Sequence, residues 1–359
     1  MITTYTTRRH ELNTATAREF DVSGTSLYTS TSWNLAFAGR DAESYLLSAH
    51  DRSGALAGTL LGHLFKQPPA NLVYNAHAIA SKLLGESAQT PNRWSPQLLL
   101  GGRYGQQNGY YIAQSEQPRR KEVLAALLAE SCSFNASSQG FLYLDKQSAD
   151  EILEVAPKYL AIPAEPDASI TINATSFEGF LAGLTSRQRY GVRRDLRRVG
   201  SMPRVRPVTP EDSMMRAYGR LAAQTQRRHN LPGDPDRLSN YIARCAACGA
   251  EAVAFTVGDE SSPAAFSLAL VYGDTLWVRM VGLEYGPGGD TGGAYPAVLI
   301  YGPVQFALDR KLRSVNVGAG AGDFKRRRGA TNRSRWSLIA PPPGITVSPA
   351  QLLARNGHV

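Results

Sequence analysis

Cysteine is scarce: a chain of 359 residues carries three, Cys132, Cys245 and Cys248. Three cannot build a disulfide framework. A zinc site would need a second Cys or His pair near the lone Cys245–Cys248 C-x-x-C, and the six histidines supply none. RCAACGAEA reads instead as a helix end, with small buried cysteines and Gly249 closing it, so no metal is expected. Apolar runs are short too. None approaches the roughly 18–20 residues that cross a bilayer, and the opening MITTYTTRRHELNTATAREF lacks the apolar core of a secretion signal. The expectation is a cytoplasmic monomer with no membrane span. The Gly-rich GPGGDTGG has neither G-K-[ST] nor G-x-G-x-x-G, and no histidine falls in a G-x-S-x-G or Cys/His context. Kinase, dehydrogenase and hydrolase readings are thereby set aside.

Acidic residues are the minority, 30 against 39 Lys and Arg, for a formal charge of +9. Residues 187–206 hold eight Arg and one Asp, a net +7, and residues 310–335 hold nine basic residues and one Asp, a net +8, which leaves −6 for the other 313 residues. Basicity confined to two segments points to a polyanion-binding site, whereas a generally basic surface would spread it. Helices with Arg on the water side would look similar.

The hydrophobic pattern alternates strands and helices, an α/β (α+β) layout. SYLLSAHDRSGALAGTLLGHLFK reads as a hairpin turning at Asp51–Gly54, NLVYNAHA as a strand, KEVLAALLAESCSF as a helix, FLYLD as a strand and SADEILEVAPKYL as a helix. AIPAEPDA, with two Pro and no period, reads as a linker. Beyond it, SFEGFLAGLTSRQRYGVRRDLRRV has a Ser176 cap and helical spacing, with Gly191 weakening the middle. Residues Ala252 to Tyr285 read as a meander of three strands turning at Gly258–Pro263 and Gly273–Asp274. A helix with Pro296 in its first turn and the strand RSVNVGAG follow. Two domains are expected, 1–163 and 168–359.

FLAGLTSRQRYGVRRDLRRV resembles the Arg-rich helix of the Fem-like and cellulose-biosynthesis-protein-like acyltransferases of the GNAT superfamily. AYPAVLIYGPVQFALDRKLRSVNVGAGAGDFKRRRG resembles their C-terminal signature, in which a helix and a strand lead into G-x-G, a Lys and a basic turn. The resemblance implies two tandem GNAT-like domains, each a mixed, mostly antiparallel sheet flanked by helices, and acyl transfer from an activated donor to an amine. The N-terminal domain would be degenerate and serve the acceptor; the C-terminal one would bind donor and perform the chemistry.

Two donors are in play, with no bound cofactor. Acyl-CoA wants a Q/R-x-x-G-x-G/A loop opening a helix, where this chain has LEYGPGGDTGGAYP with Asp290 set to repel phosphate. Aminoacyl-tRNA wants a broad basic surface, which the Arg segments fit, so tRNA is placed ahead as partner. The implied donor-binding residues are Arg193, Arg194, Arg197, Arg326, Arg327, Arg328, Gly318 and Gly320, with Tyr190 and Trp336 available to stack on unpaired bases. Lys325 matches the family Lys and would act on the oxyanion or the donor's terminal nucleotide; Glu284 and Tyr285 would orient or deprotonate the amine. For the acceptor, a small amine metabolite such as a peptide natural-product intermediate or a cell-wall precursor, Trp33, Asn34, Arg93, Arg103 and Tyr104 are candidates. A non-catalytic RNA-binding protein would keep the Arg segments but have no use for Lys325.

Overall fold

A computed structural model describes residues 5–21, 26–39, 41–69, 72–84, 91–286 and 291–345. Asp290, read above as a phosphate-repelling residue, lies outside them. The strands in chain order are β1 (Thr6–Glu11), β2 (Glu43–His50), β3 (Leu56–Phe65), β4 (Gln97–Leu100), β5 (Tyr111–Ile112), β6 (Ser138–Leu144), β7 (Leu160–Thr171), β8 (Arg204–Pro207), β9 (Glu251–Gly258), β10 (Pro263–Tyr272), β11 (Thr275–Leu283), β12 (Ser314–Ala319) and β13 (Thr331–Ala340).

The chain divides into two compact units, Met1–Glu165 with Ser334–Val359, and Pro166–Arg333. The chain passes from the first unit to the second at Glu165–Pro166, and the second unit ends at Arg333 rather than running to residue 359. From Ser334 the chain belongs to the first unit, because Trp336, Leu338, Ile339 and Ala340 of β13 pair with β6 and Leu338 and Ala340 join its core. AIPAEPDA is no linker either. It lies within β7, where Pro163 and Pro166 are accepted and the strand's far end, Asp167–Thr171, pairs with β12.

In the first unit the strand order is β1-β2-β3-β4-β6-β13, with β5 on β3. Leu47 and Ala49 alternate along β2 into one core with Leu60 of β3, and a bulge at Ala57 turns that residue to the same core; the helix Arg120–Ser131 covers it. The β2–β3 turn is fixed by Asp51, whose carboxylate accepts from the amides of Ser53 and Ala55. NLVYNAHA departs from its strand reading: Leu72–Tyr74 is a 3-10 turn and Ala76–Leu84 a helix. Asn75 starts that helix by accepting from the Ala78 amide, a local cap that outweighs the β-propensity of Leu-Val-Tyr.

The second unit orders its strands β7-β12-β11-β10-β9-β8. β9, β10 and β11 form the expected meander, and the helices Met215–Arg228 and Pro235–Ala246 pack together beside it. β11 and β12 run parallel, but their register ends at Trp277 opposite Asn316. β11 continues along β10 past a bulge at Arg279, and β12 continues along β7 past a bulge at Val317. The strands therefore part company midway, and a wedge opens at their C-terminal ends.

The helix from Ala294 to Asp309 contains a π-helical turn at Ala297–Tyr301. Pro303, lacking an N–H, cannot donate to the Leu299 carbonyl in the α-helical ladder, and the Val298 carbonyl accepts the Ser267 hydroxyl at 2.5 Å.

Candidate functional site

Ser176 caps a short helix, Phe177–Ala182, and the chain breaks at Gly183 rather than at Gly191. Thr185 then opens the helix Ser186–Val199 with a reciprocal cap: its hydroxyl accepts from the Gln188 amide and its own amide donates to the Gln188 side chain. Gly200, at φ 85°, ends the helix. Val192 and Asp195 face inward, while Arg193, Arg194, Arg197 and Arg198 reach solvent.

The second Arg segment meets this helix. After β12 the chain turns through Gly318 (φ 72°), Gly320 (φ 75°) and Ala321 (φ 50°) into a short helix, Gly322–Arg326. The Gln188 amide nitrogen donates to the Arg326 carbonyl at 2.9 Å. Between the two elements lies a groove of about 1140 Å³, lined by Arg187, Tyr190, Gly191, Arg194, Phe324, Arg326 and Arg327 among others. Arg187 and Arg327 pair with no carboxylate among the described residues. Among the described residues Asp323 is the one acid lining the groove, and it is paired with Arg326 at 2.8 Å.

Arg328, expected to meet phosphate, lines the groove with its guanidinium turned mostly to protein partners. Its Nη2 and Nε reach Asp195 Oδ2 at 2.6 and 3.0 Å, its Nη1 donates to the Phe324 carbonyl, and its guanidinium lies 3.7 Å from the Phe324 ring centroid. The Tyr301 hydroxyl donates to the same carboxylate oxygen at 2.8 Å. Burial pushes the Tyr301 hydroxyl pKa far up, so it stays a donor at any ordinary pH. Gly293, at φ 86°, lets this helix start against the Asp195 carbonyl, where a Cβ would come within 2.7 Å. Arg328, Asp195 and Tyr301 thus join three segments beneath the groove.

Lys325, the residue expected to act on the oxyanion or the donor's terminal nucleotide, is 2% exposed. Its Nζ donates to the carbonyls of Gly318 and Ala319 at 2.9 and 2.8 Å, so the left-handed glycine turn aims its own oxygens inward. The Gly318 amide bonds the Asn316 side chain, and Asn316 in turn donates to the buried Asp167. The bulge on β12 is where this polar cluster gathers. Gly318 and Gly320, named above as donor-binding residues, shape the turn that holds Lys325.

Arg193 turns from the groove to Glu178 at 3.3 Å, an exposed pair. Arg197 is exposed but not among the groove residues. Glu284 is exposed and anchored by its amide on the Ala264 carbonyl. Tyr285 is half-buried under the Arg228 guanidinium. Trp336 packs on the core of the first unit, which leaves Tyr190 as the groove's exposed aromatic.

The acceptor candidates divide. Trp33 is fully buried, its indole donating to the Arg103 carbonyl, and Asn34 is consumed by the Tyr28 and Ser30 carbonyls and the Arg103 amide. Arg103 is 2% exposed and paired with Asp41 at 2.8 Å. Burial alone would raise the Asp41 pKa, but the charge and hydrogen bonds of Arg103 hold it below the usual carboxylate value. Tyr104 shares that cluster, and exposed Arg93 donates to the Pro343 carbonyl. Trp33, Asn34 and Arg103 are therefore core residues, fixed by the Gly-rich loop they hold. Among the described residues no His, Cys, Asp or Glu cluster is fit for a metal ion.

Asp195 and Tyr301 escape a reading by composition. Asp195 was legible only as the sole acid among eight Arg.

The family model FemAB-like, described as peptidoglycan biosynthesis/recognition, matches residues 85–341. No curated protein matches the sequence. Among solved structures, FemX superposes with a TM-score of 0.61 over 93% of this chain and 97% of its own, at 11% identity. L-PGS from Bacillus licheniformis gives 0.55 over 95% of each chain at 12% identity. A tandem GNAT protein from the clavulanic acid biosynthesis pathway gives 0.51 over 96% and 99% at 9% identity. At such identities the shared property is the fold, a tandem GNAT-like one.

Proposed function

The chain belongs to the FemAB-like family, and from that premise we propose that it is an acyltransferase that forms an amide, with aminoacyl-tRNA as donor and the amine of a small metabolite or cell-wall precursor as acceptor. The observation that carries the donor reading is the convergence of the two Arg-rich segments on one groove, a surface whose charge exceeds what a single small cofactor needs and suits several phosphates in a row. In the reaction the amine nitrogen attacks the ester carbonyl. The tetrahedral oxyanion collapses to an amide, the ester C–O bond breaks, and the proton lost by the amine ends on the freed hydroxyl of the donor.

The wedge between β11 and β12 lies where Asn316, Gly318 and Lys325 gather, and it suits entry of the reacting ester. There the Lys325 ammonium would stabilise negative charge through the field it exerts on the turn, and direct contact with an oxyanion would require one of its carbonyl bonds to open. Glu284 and Tyr285 stand at the end of β11 as the groups to receive the amine.

A radiolabel-transfer assay decides between donors. Label from bulk aminoacyl-tRNA should appear in amide products when a panel of small amines and soluble cell-wall precursors is offered. Transfer from acetyl-CoA with none from tRNA rejects the tRNA reading, and transfer from neither, with tight RNA binding retained, replaces the enzyme by an RNA-binding protein.

A further inference from the structure

One face of the helix Ser186–Val199 is left unused by the fold. Arg187, Tyr190, Gly191 and Arg194 stand at intervals of three, four and seven residues, so they share that face, and all four line the groove. Tyr190 is 64% exposed, a costly place for a large ring with nothing laid on it. Gly191 is unexplained in the same way. A glycine at mid-helix is less favourable than alanine, and a Cβ at this position would meet nothing within 4 Å, so no neighbour among the described residues demands its bareness. A molecule lying flat against the helix would.

Resting on the donor reading above, we infer that this face seats a nucleotide, with its base stacked on Tyr190 over the bare backbone of Gly191 and its phosphates between Arg187, Arg194 and Arg327. The combination selects the class. A simple anion would engage the arginines and leave the ring idle, and an apolar group would use the ring and leave the arginines unpaired; a base carrying phosphates uses both. The unpaired 3′ end of tRNA offers this chemistry, and so does the adenosine diphosphate part of CoA.

The test uses a short RNA hairpin with an unpaired CCA tail whose last base is 2-aminopurine, the same hairpin with a blunt end, and CoA. The full chain should quench the 2-aminopurine on binding. Tyr190→Ala should weaken the tailed hairpin roughly 5- to 100-fold, Tyr190→Phe should restore it, and the blunt hairpin should bind both proteins equally. Gly191→Leu should raise the melting temperature through helix propensity while weakening the tailed hairpin. If CoA is the source, CoA binding shows the same dependence on Tyr190 and the tail confers none. If tailed and blunt hairpins bind alike, and neither they nor CoA respond to Tyr190→Ala, the stacking site is overturned while the groove survives as a phosphate surface. Failure of the unmodified chain to bind any of the three probes overturns the donor reading as well.

Discussion

Arg328 and Asp195, 133 residues apart in the chain, meet through two hydrogen bonds to a single carboxylate oxygen, at 2.6 and 3.0 Å. Both side chains are nearly removed from water, and Tyr301 completes the cluster. A buried pair of this kind is costly to break and not costly to replace whole. Asp195→Asn should therefore lower the unfolding free energy by about 3–5 kcal/mol, by urea denaturation. The double variant Asp195→Leu, Arg328→Met should lose much less than the sum of its singles. Equal, additive losses would mean that the two residues do not act as a pair.

Arg193 and Arg194 are neighbours in sequence with different surroundings. Arg194 lines the groove, whereas Arg193 leans on Glu178. Arg194→Glu should reduce the affinity for tRNA of every sequence alike and make the log–log salt slope shallower by about 1. Arg193→Glu should change both far less. Filter binding at several salt concentrations checks this, and equal effects would spread the RNA surface beyond the groove.

Lys325→Met keeps the apolar stem and removes the ammonium. Two carbonyls lose a charged donor, so stability should fall by about 1.5–3 kcal/mol in the same urea experiment. On the acyltransfer reading, kcat should also fall about a hundredfold with KM little changed. An unchanged kcat in the folded variant would leave Lys325 a structural lysine alone.

His63 is wholly buried, its Nδ1 bonded with the Ser44 hydroxyl at 2.9 Å. Burial, and after it the charge of Arg103, push its pKa well below the usual 6.5. The unfolded chain then binds a proton near pH 6.5 that the folded chain refuses. Stability should be full above that pH and fall as the pH drops below it, with a limiting slope of about 1.4 kcal/mol per pH unit from this one group. His63→Gln should flatten the dependence between pH 7 and 5, by thermal denaturation; an unaltered slope would assign the effect to other groups.

Where local pattern and tertiary use agree, the sequence is a sufficient guide. The β9–β11 meander and the helical spacing of Ser186–Val199 follow from periodicity and turn residues, and the two basic segments stand out by charge alone. What the sequence conceals is direction. Nothing in GAGAGDFK says that the glycine turn points its carbonyls at Lys325. Nothing in the local sequence says that Arg328 turns down to Asp195 while Arg327 beside it faces solvent. Arg103 and Trp33 came as acceptor candidates from the family resemblance alone, and local sequence does not reveal that both are buried and bonded to each other's surroundings. Pro163 and Pro166 read as breakers because pairing partners more than a hundred residues away are invisible to local rules.

The late return of the chain to the first unit matters for how this protein is made. β6 is complete at Leu144, but its partner β13 ends at Ala340. At roughly 5–20 residues per second, a ribosome leaves β6 without that neighbour for about 10–40 s. Throughout that interval an apolar strand edge stands open to other nascent chains, and the entire second unit can fold before the first is closed. A stop codon just past Arg333 would therefore damage the unit synthesised first, and the shortened product would fail as an aggregate more than as an inactive enzyme.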